Sequence, residues 1–480
     1  MENKYKVFDV GLYADNVIFK TEGKIFQYNE LHALSEKLGH SIGNRCLVFL
    51  FCSNVPDAII GYVGMLNNSI VPVMLDSELD TDMAEALIDK YKPQYLWLPA
   101  RNADEYPSYE EKFRMSDYVL LSTGYKAYEL NQSLALLMTT SGSTGSPKLV
   151  RISYENIRAN TEAIIKYLHI TQEEVGITSL PMHYVYGLSI INSHLWAGAS
   201  LVVTDKTMFR REFWQAMKEY GVTNLGGVPY TYEMLKRLRF FRMDLPALHT
   251  LTQAGGKLKP ELHQEFAEYA VNSGKRFVVM YGAAEATARM GYLPSEMANR
   301  KIGSMGIAIP GGLFELQAAD GGVIDEDGIA GELVYYGRNV TMGYAMCLED
   351  LLKGDQNHGC YCTGDIAVRD ADGIYTIVGR KKRFLKLFGK RTNLQETEDI
   401  LKSCYKEKDI ACSGIDDHLY IFVSDVPGIE NESVAKEMVG YISQKLGLHH
   451  SAFTVRILDE LPRNAAGKVL YHELEQYYDV

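Results

Sequence analysis

The sequence predicts an α/β protein. It reads as a large N-terminal part of layered, mostly parallel sheets with helices, then a small antiparallel β unit, then a small α+β C-terminal domain. Three observations carry this. Short apolar runs alternate with helical patterns through the first two-thirds of the chain. The runs are apolar throughout rather than on every second residue, the pattern of strands covered on both faces. The texture then changes twice, near residue 310 and after "GRKKR" at 379–383.

In chain order, the strand candidates are "CLVFLFC" (46–52), "SIVPVML" (69–75), "QYLWLPA" (94–100), "LALLM" (134–138), "ASLVVT" (199–204) and "RFVVMYG" (276–282). Helical stretches lie between them. In "PELHQEFAEYAVNSG" the residues Leu262, Phe266, Tyr269 and Ala270 share one helical face, and Gly274 offers a stop. From about residue 310, "AADGGVIDEDGIAGELVYYG" and "AVRDADGIYTIVGRKKR" place Asp-Gly turns between short strands, which predicts hairpins. Asp372-Gly373 reads as a plain turn. The last hundred or so residues read as strand, helix, hairpin and helix, with "NLQETEDILKSC" (393–404), "HLYIFVS" (418–424) and "SVAKEMVGYISQKLG" (433–447) as the recognisable pieces.

At 480 residues the chain exceeds what one hydrophobic core organises. With 46% hydrophobic and 23% charged residues it has the composition of a globular protein. The net charge of −12 argues against a nucleic-acid surface, so a polyanionic ligand needs a local basic or dipolar site. Seven cysteines without a CxxC pair suggest neither a disulfide framework nor a zinc ribbon and fit a reducing cytoplasm. No apolar run approaches a membrane span and the N-terminus lacks a signal core, so neither secretion nor membrane insertion is expected.

One loop stands out. "TTSGSTGSPK" (139–148) follows an apolar strand candidate with glycines and short hydroxyls and ends in a lysine. A phosphate needs donors without side-chain bulk, and such a loop at a sheet edge supplies them. The Walker-type loop does not fit: counting from Gly142, the fifth residue on is Pro147, and Lys148 is followed by Leu149.

Taken with "YGAAEAT" (281–287), "YCTGDIAVRDADGIYTIVGRKKRFLKLFGKR" (361–391) and "LPRNAAGKV" (461–469), the loop resembles the phosphate loop of the adenylate-forming (AMP-binding) superfamily. That superfamily holds acyl- and aryl-CoA synthetases, peptide-synthetase adenylation domains and firefly luciferase, and the chain is most similar to the acyl-CoA synthetase branch. The motifs occur in the family's order across essentially the whole chain. The resemblance implies attack of a carboxylate on the α-phosphorus of ATP, release of pyrophosphate, then displacement of AMP by a thiol. Two anions meet in the first step, and a charge pair at 4 Å under an effective dielectric of ~20 is worth ~4 kcal/mol, so a well-placed cation matters.

Residue by residue, the resemblance assigns Thr140, Ser141, Gly142, Ser143, Thr144, Gly145 and Lys148 to the phosphates. Lys468 becomes the cation between carboxylate and α-phosphate, and Glu285 the Mg²⁺ ligand. Tyr281, Gly282, Gly255 and Gly256 would enclose adenine. Asp365 would accept the ribose hydroxyls, with Arg380 as a second contact. The resemblance makes residues 1–380 the large domain, with its β-rich subdomain from about 310, and 381–480 a small mobile lid. Lys382 would be the hinge, and Gly389 would lie beside the incoming pantetheine.

"LPMHYVYGLSIINSHLWAGASL" (180–201) is similar to the family's acyl-pocket segment. Val185 stands where amino-acid-activating domains carry an aspartate for the α-ammonium, and an ammonium beside Val would be buried unpaired. This predicts an aliphatic or aryl acid. The gate to the thiol tunnel falls on Tyr184, next to His183, and the pocket on Gly227, Val228, Pro229, Tyr230, Ala254 and Ala283.

Two departures from the family pattern stand out. Ala284 replaces a usual hydroxyl residue, and "DIACSGIDDHLYIFVS" is short for the stretch it matches. The implied cofactors are ATP, Mg²⁺ and CoA, or the phosphopantetheine of an acyl carrier protein as the alternative acceptor. A non-catalytic nucleotide-binding regulator is the reading of another class, and a luciferase-like oxygenase is more remote.

Overall fold

The computed structural model describes residues 7–139, 148–318, 320–380, 384–388, 390–415, 417–424, 431–464, 467–471 and 473–478. They fall into two compact units. The first takes its described residues from 1–140, 147–313 and 336–361, and the second from 314–335 and 362–480.

The first unit is built on three mixed sheets. In the largest, Tyr95–Pro99, Leu47–Cys52, Val71–Asp76 and Leu134–Thr139 run parallel side by side. Antiparallel strands flank this core, Leu149–Ser153 and Tyr344–Ala345 on one edge and Tyr118–Ser122 and Glu110–Met115 on the other. A second sheet pairs Asn224–Gly227, Thr250–Gln253 and Arg276–Tyr281 in parallel, with two short antiparallel strands beyond. A third holds Val175–Ile177, Ser200–Val202 and Val17–Thr21 in parallel and Lys24–Gln27 antiparallel. Parallel pairing therefore holds the sheet centres, as expected, while antiparallel strands flank both edges of the largest sheet and one edge of each of the other two.

Two helices, Pro56–Asn67 and Val185–Ala197, bury residues on nearly every face, the mark of helices enclosed between layers. Their contact is pinned where the Tyr62 hydroxyl donates to Asn192 Oδ1 at 3.0 Å. The helix Pro260–Asn272 buries Leu262, Phe266 and Ala270, the stripe read from the sequence, and half-buries Tyr269.

Arg151 is wholly buried in the strand Leu149–Ser153. Its guanidinium donates to the carbonyls of Met342, Tyr344, Lys353 and Gly354 and to Gln356 Oε1. Five acceptors around one cation fasten the segment 342–356 to the sheet edge.

The second unit is built on the strands Gly312–Gln317, Gly331–Gly337, Cys360–Arg369 and Tyr375–Arg380, in that order across a sheet. The last two form an antiparallel hairpin closed at Asp370–Gly373, the turn expected at Asp372-Gly373. A two-stranded hairpin, Phe384–Leu387 with Lys390–Asn393, leads into the helix Leu394–Cys404. Asp409–Ile415 and His418–Ser424 then pair antiparallel, and the helix Asn431–Leu446 follows. The strand Phe453–Ile457, which the sequence reading passed over, joins His418–Ser424 in parallel. No helix among the described residues is long and apolar enough to cross a membrane.

The buried guanidinium generates a test of the first unit. Arg151→Met strands several buried carbonyls and should cost about 3 kcal/mol or more. All three tryptophans, Trp97, Trp196 and Trp214, lie in that unit, so the fluorescence-detected urea midpoint reads it directly. An unchanged midpoint would overturn this role for Arg151.

Candidate active site

Parallel strands in register end at one edge, and the loops that follow them converge there. Gly227 pairs with Gln253, and Gln253 with Val279, so the residues after these strands leave the same side of the sheet. Val228, Ala254 to Gly256, and Gly282 to Glu285 are those residues. Ala254 N–H donates to the Gly227 carbonyl at 3.2 Å, holding two of the loops together.

The stretch before the helix Val185–Ala197 is clamped by Asn54, which follows the strand Leu47–Cys52. Its Nδ2 donates to the carbonyls of Thr178 and Leu180 at 3.0 and 3.1 Å, and its Oδ1 accepts from Met182 N–H at 3.2 Å. Two residues on, Tyr184 caps the helix and Val185 opens it, both half-buried. The Tyr184 hydroxyl lies against Gly255. A Cβ there would meet that hydroxyl at 2.8 Å and Val228 Cγ1 at 3.0 Å, and the φ of +87° excludes most side chains independently. Tyr184, Val228 and Gly255, far apart in sequence, thus form one wall. Burial pushes the Tyr184 phenol up to about 12, so it stays a neutral donor. His183 turns its Nε2 toward Asp76 Oδ2 at 3.6 Å, and burial lowers its basicity more than that carboxylate restores.

Glu285 sits in the short 3₁₀ turn Ala284–Ala286. Thr341 fixes that turn by donating its N–H and its hydroxyl to the Glu285 carbonyl at 2.9 and 3.0 Å. Before the turn, Gly282 leaves no room for a side chain, because a Cβ would lie 1.7 Å from the Ala288 carbonyl oxygen. The Tyr344 hydroxyl donates to Glu285 Oε1 at 2.7 Å. Burial, then the bond to that carboxylate, raises the Tyr344 phenol well above its ordinary value, which keeps it a donor. Lys148 lies over the other face of the matter: its ammonium is 5.6 Å from the centre of the Tyr344 ring. Lys148, Tyr344 and Glu285 therefore form a cation–phenol–carboxylate line. No basic side chain forms an ion pair with Glu285 among the described residues.

Tyr281, half-buried, ends the strand Arg276–Tyr281, and its carbonyl accepts from Met290 N–H at 2.9 Å. Gly227 and Ala283 bracket the same edge, at the last strand position and at the start of the Glu285 turn. Gly256 packs on Pro229.

In the second unit, Asp365 and Arg380 face each other across the hairpin, and Arg380 Nε donates to Asp365 Oδ1 at 2.7 Å. Asp365 is buried while Arg380 is exposed. Lys468 is exposed on a tight loop closed by reciprocal bonds, Asn464 N–H to the Lys468 carbonyl and Lys468 N–H to Asn464 Oδ1. Arg463 braces that loop through the Gly467 carbonyl and ion-pairs with Asp409.

Thr140, Ser141, Gly142, Ser143, Thr144 and Gly145 of the phosphate loop, Lys382 and Gly389 lie outside the described residues. Of the expected site, the structure brings together Tyr184, Val228 and Gly255, and separately Glu285 with Lys148. Tyr344 was missed. It sits in "VTMGYAM", with no local signal, and meets Glu285 only because Arg151 and Thr341 bring its segment there. Among the described residues no group of three His, Cys, Asp or Glu side chains could hold a metal ion by itself.

The family described as AMP-binding enzyme matches residues 10–345. A long-chain-fatty-acid–CoA ligase of Escherichia coli O6:H1 is 26% identical, over 97% of this chain and 92% of its own length. An oxalate–CoA ligase of Arabidopsis thaliana is 26% identical over 72% of this chain and 67% of its own. Among solved structures, the o-succinylbenzoate CoA synthetase of Bacillus subtilis, in complex with ATP and magnesium ion, superposes with a TM-score of 0.76 at 20% identity, covering 97% of this chain and 98% of that one. The match over residues 10–345, with the loops placed as described, makes this chain a member of the AMP-binding enzyme family.

Proposed function

We propose that the protein activates a carboxylic acid as its acyl-adenylate, using ATP and releasing pyrophosphate, and then passes the acyl group to the thiol of CoA with release of AMP. The observation that carries the reading is the line of Lys148, Tyr344 and Glu285 at the carboxyl edge of the parallel strands. Lys148 directly precedes Leu149, which pairs with Thr139 where the strand before the phosphate loop ends. A polyphosphate at this edge gains a cation from Lys148 without meeting an unscreened carboxylate, because Tyr344 holds one oxygen of Glu285.

The residues fit Mg²⁺ in one specific way. A lone carboxylate, with no group of three metal-ligating side chains among the described residues, suits a hard cation that takes most of its ligands from phosphate and water. Glu285 would hold it there, and when bound it would neutralise phosphate charge. Adenine would lie between Tyr281 and the Gly255-Gly256 turn, and the ribose hydroxyls would meet Asp365, which accepts from Arg380 Nε. Lys468 would supply the cation between the two anions of the first half-reaction. In this reading the chain turns about Lys382 between the half-reactions, and Gly389 borders the pantetheine. The named acids of the relatives run from long-chain fatty acid to oxalate, so kinship alone leaves the acid open.

The direct test is acid-dependent exchange of labelled pyrophosphate into ATP. Exchange with a carboxylic-acid pool is expected; ATP binding with no exchange for any pool would leave a nucleotide-binding regulator instead. Lys468→Ala should lower exchange by roughly 10²–10³-fold, the usual effect of losing one charge-stabilising donor. Thiol transfer from supplied acyl-adenylate should survive that change, and equal loss of both steps would refute the division of labour. With Val185 at the head of its helix, α-amino acids should fail in the same exchange assay, and good activity with one would overturn the pocket assignment.

A further inference from the structure

Lys468 is exposed, yet the loop that carries it is fastened more heavily than an exposed loop requires. The fastening starts inside the loop. Arg463 and Val469 pair as an antiparallel bridge, and Leu470 N–H donates to the Pro462 carbonyl at 2.9 Å. Gly467 N–H donates to the Asn464 carbonyl at 2.8 Å, and Arg463 Nη1 to the Gly467 carbonyl at 2.7 Å. These bonds set the shape of the loop but not where it stands on the second unit.

Two carboxylates set that, one for each arm. On the outgoing arm Arg463 pairs with Asp409, at the head of the strand Asp409–Ile415. On the returning arm the Tyr471 hydroxyl donates to Glu398, on the helix Leu394–Cys404, 3.1 Å from one carboxylate oxygen and 3.3 Å from the other. The anchors differ in kind. The Arg463 and Asp409 side chains are 34% and 31% exposed, so water and salt weaken their pair. The Glu398 side chain is 1% exposed.

A carboxylate that deep is costly unless its lone pairs are filled, and Glu398 fills them from three directions. Cys412 N–H donates to Oε1 at 2.7 Å from the neighbouring strand. Gln395 Nε2 and Lys402 Nζ approach Oε2 at 3.4 and 3.5 Å from the same helix. Tyr471 comes from the Lys468 segment, three residues beyond the lysine. Helix, strand and lysine loop thus meet on one buried acceptor, and hydrogen bonds to a carboxylate are among the strong ones. Apolar packing does not replace this bond. Leu461 and Leu474, before and after the loop, are buried against Ala411, Tyr420 and Phe422, but apolar contact is non-directional.

We propose that Tyr471 is a positioning residue for the first half-reaction: its bond to Glu398 fixes the stand of the loop and so the reach of the Lys468 ammonium. This rests on the adenylation reading, in which Lys468 lies between the substrate carboxylate and the α-phosphate. A lysine carries its charge on a flexible four-carbon stem, so the backbone beneath must be held if the ammonium is to reach one point. Misplacement by about 1 Å costs on the order of a hundredfold in rate.

The test is Tyr471→Phe in the full chain, which deletes the hydroxyl and keeps the ring. With a carboxylic acid that supports wild-type pyrophosphate exchange, the variant should lose about tenfold to a hundredfold in exchange. Transfer of the acyl group from supplied acyl-adenylate to CoA should stay at the wild-type rate. In a Lys468→Ala background the same change should lower exchange no further, because its effect runs through the missing ammonium. Wild-type exchange by Tyr471→Phe, equal loss of both half-reactions, or the full further loss in the Lys468→Ala background would each overturn the positioning role and leave adenylation standing. No exchange by the wild type with any acid would overturn both. Should the variant fail to fold, hydrogen exchange on the wild-type chain decides: the Gly467, Lys468 and Leu470 amides should be protected, and exchange at the rate of an open loop would overturn the proposal.

Discussion

Three short parallel strands, Asn224–Gly227, Thr250–Gln253 and Arg276–Tyr281, are held in strict register, and the site depends on that pairing. Because side chains alternate faces along a strand, a slip of one residue would turn Gln253 and Tyr281 to the opposite face and carry the following loops with them. Register alone does not place a site, however. The loops also approach each other closely, and they do so through absent atoms: at Gly255 against Tyr184 and Val228, and at Gly282 against the Ala288 carbonyl. Strand pairing sets the coarse position and steric exclusion the fine one.

Around that edge the polar groups are fixed by neighbours from distant parts of the chain. Asn54 clamps the approach to Tyr184, and Thr341 clamps the turn of Glu285. Arg151, five acceptors deep, secures the segment that carries Tyr344. The result is an acidic chain with local cationic features where the proposed anions go. A net charge of −12 and a phosphate-directed lysine do not conflict, since the charge of a protein screens over about 10 Å at ordinary ionic strength and a site feels its own neighbours first.

The proposed acid specificity follows from the same logic at greater depth. Val185 withholds a partner from an α-ammonium, which would then bear the cost of a buried charge left unpaired.

The sequence passed over Asn224–Gly227 and Thr250–Gln253; what it determined by itself are the strand cores it named, from "CLVFLFC" to "RFVVMYG", and the Asp370–Gly373 turn. These are local: apolar runs, Asp-Gly turns and contiguous motifs keep their meaning without the rest of the chain. It overlooked the strand Phe453–Ile457, whose "FTVRI" mixes polar and apolar residues and becomes a strand through parallel pairing with His418–Ser424. Tertiary structure alone decided the partners. Tyr344 reaches Glu285 from 59 residues away, and Tyr186 reaches the Arg289 guanidinium from the helix Val185–Ala197. Spacing along a chain carries no trace of such contacts, because burial and hydrogen bonding are fixed only once the layers have packed. The charge on Arg289 is written in the sequence; its burial is a property of the fold.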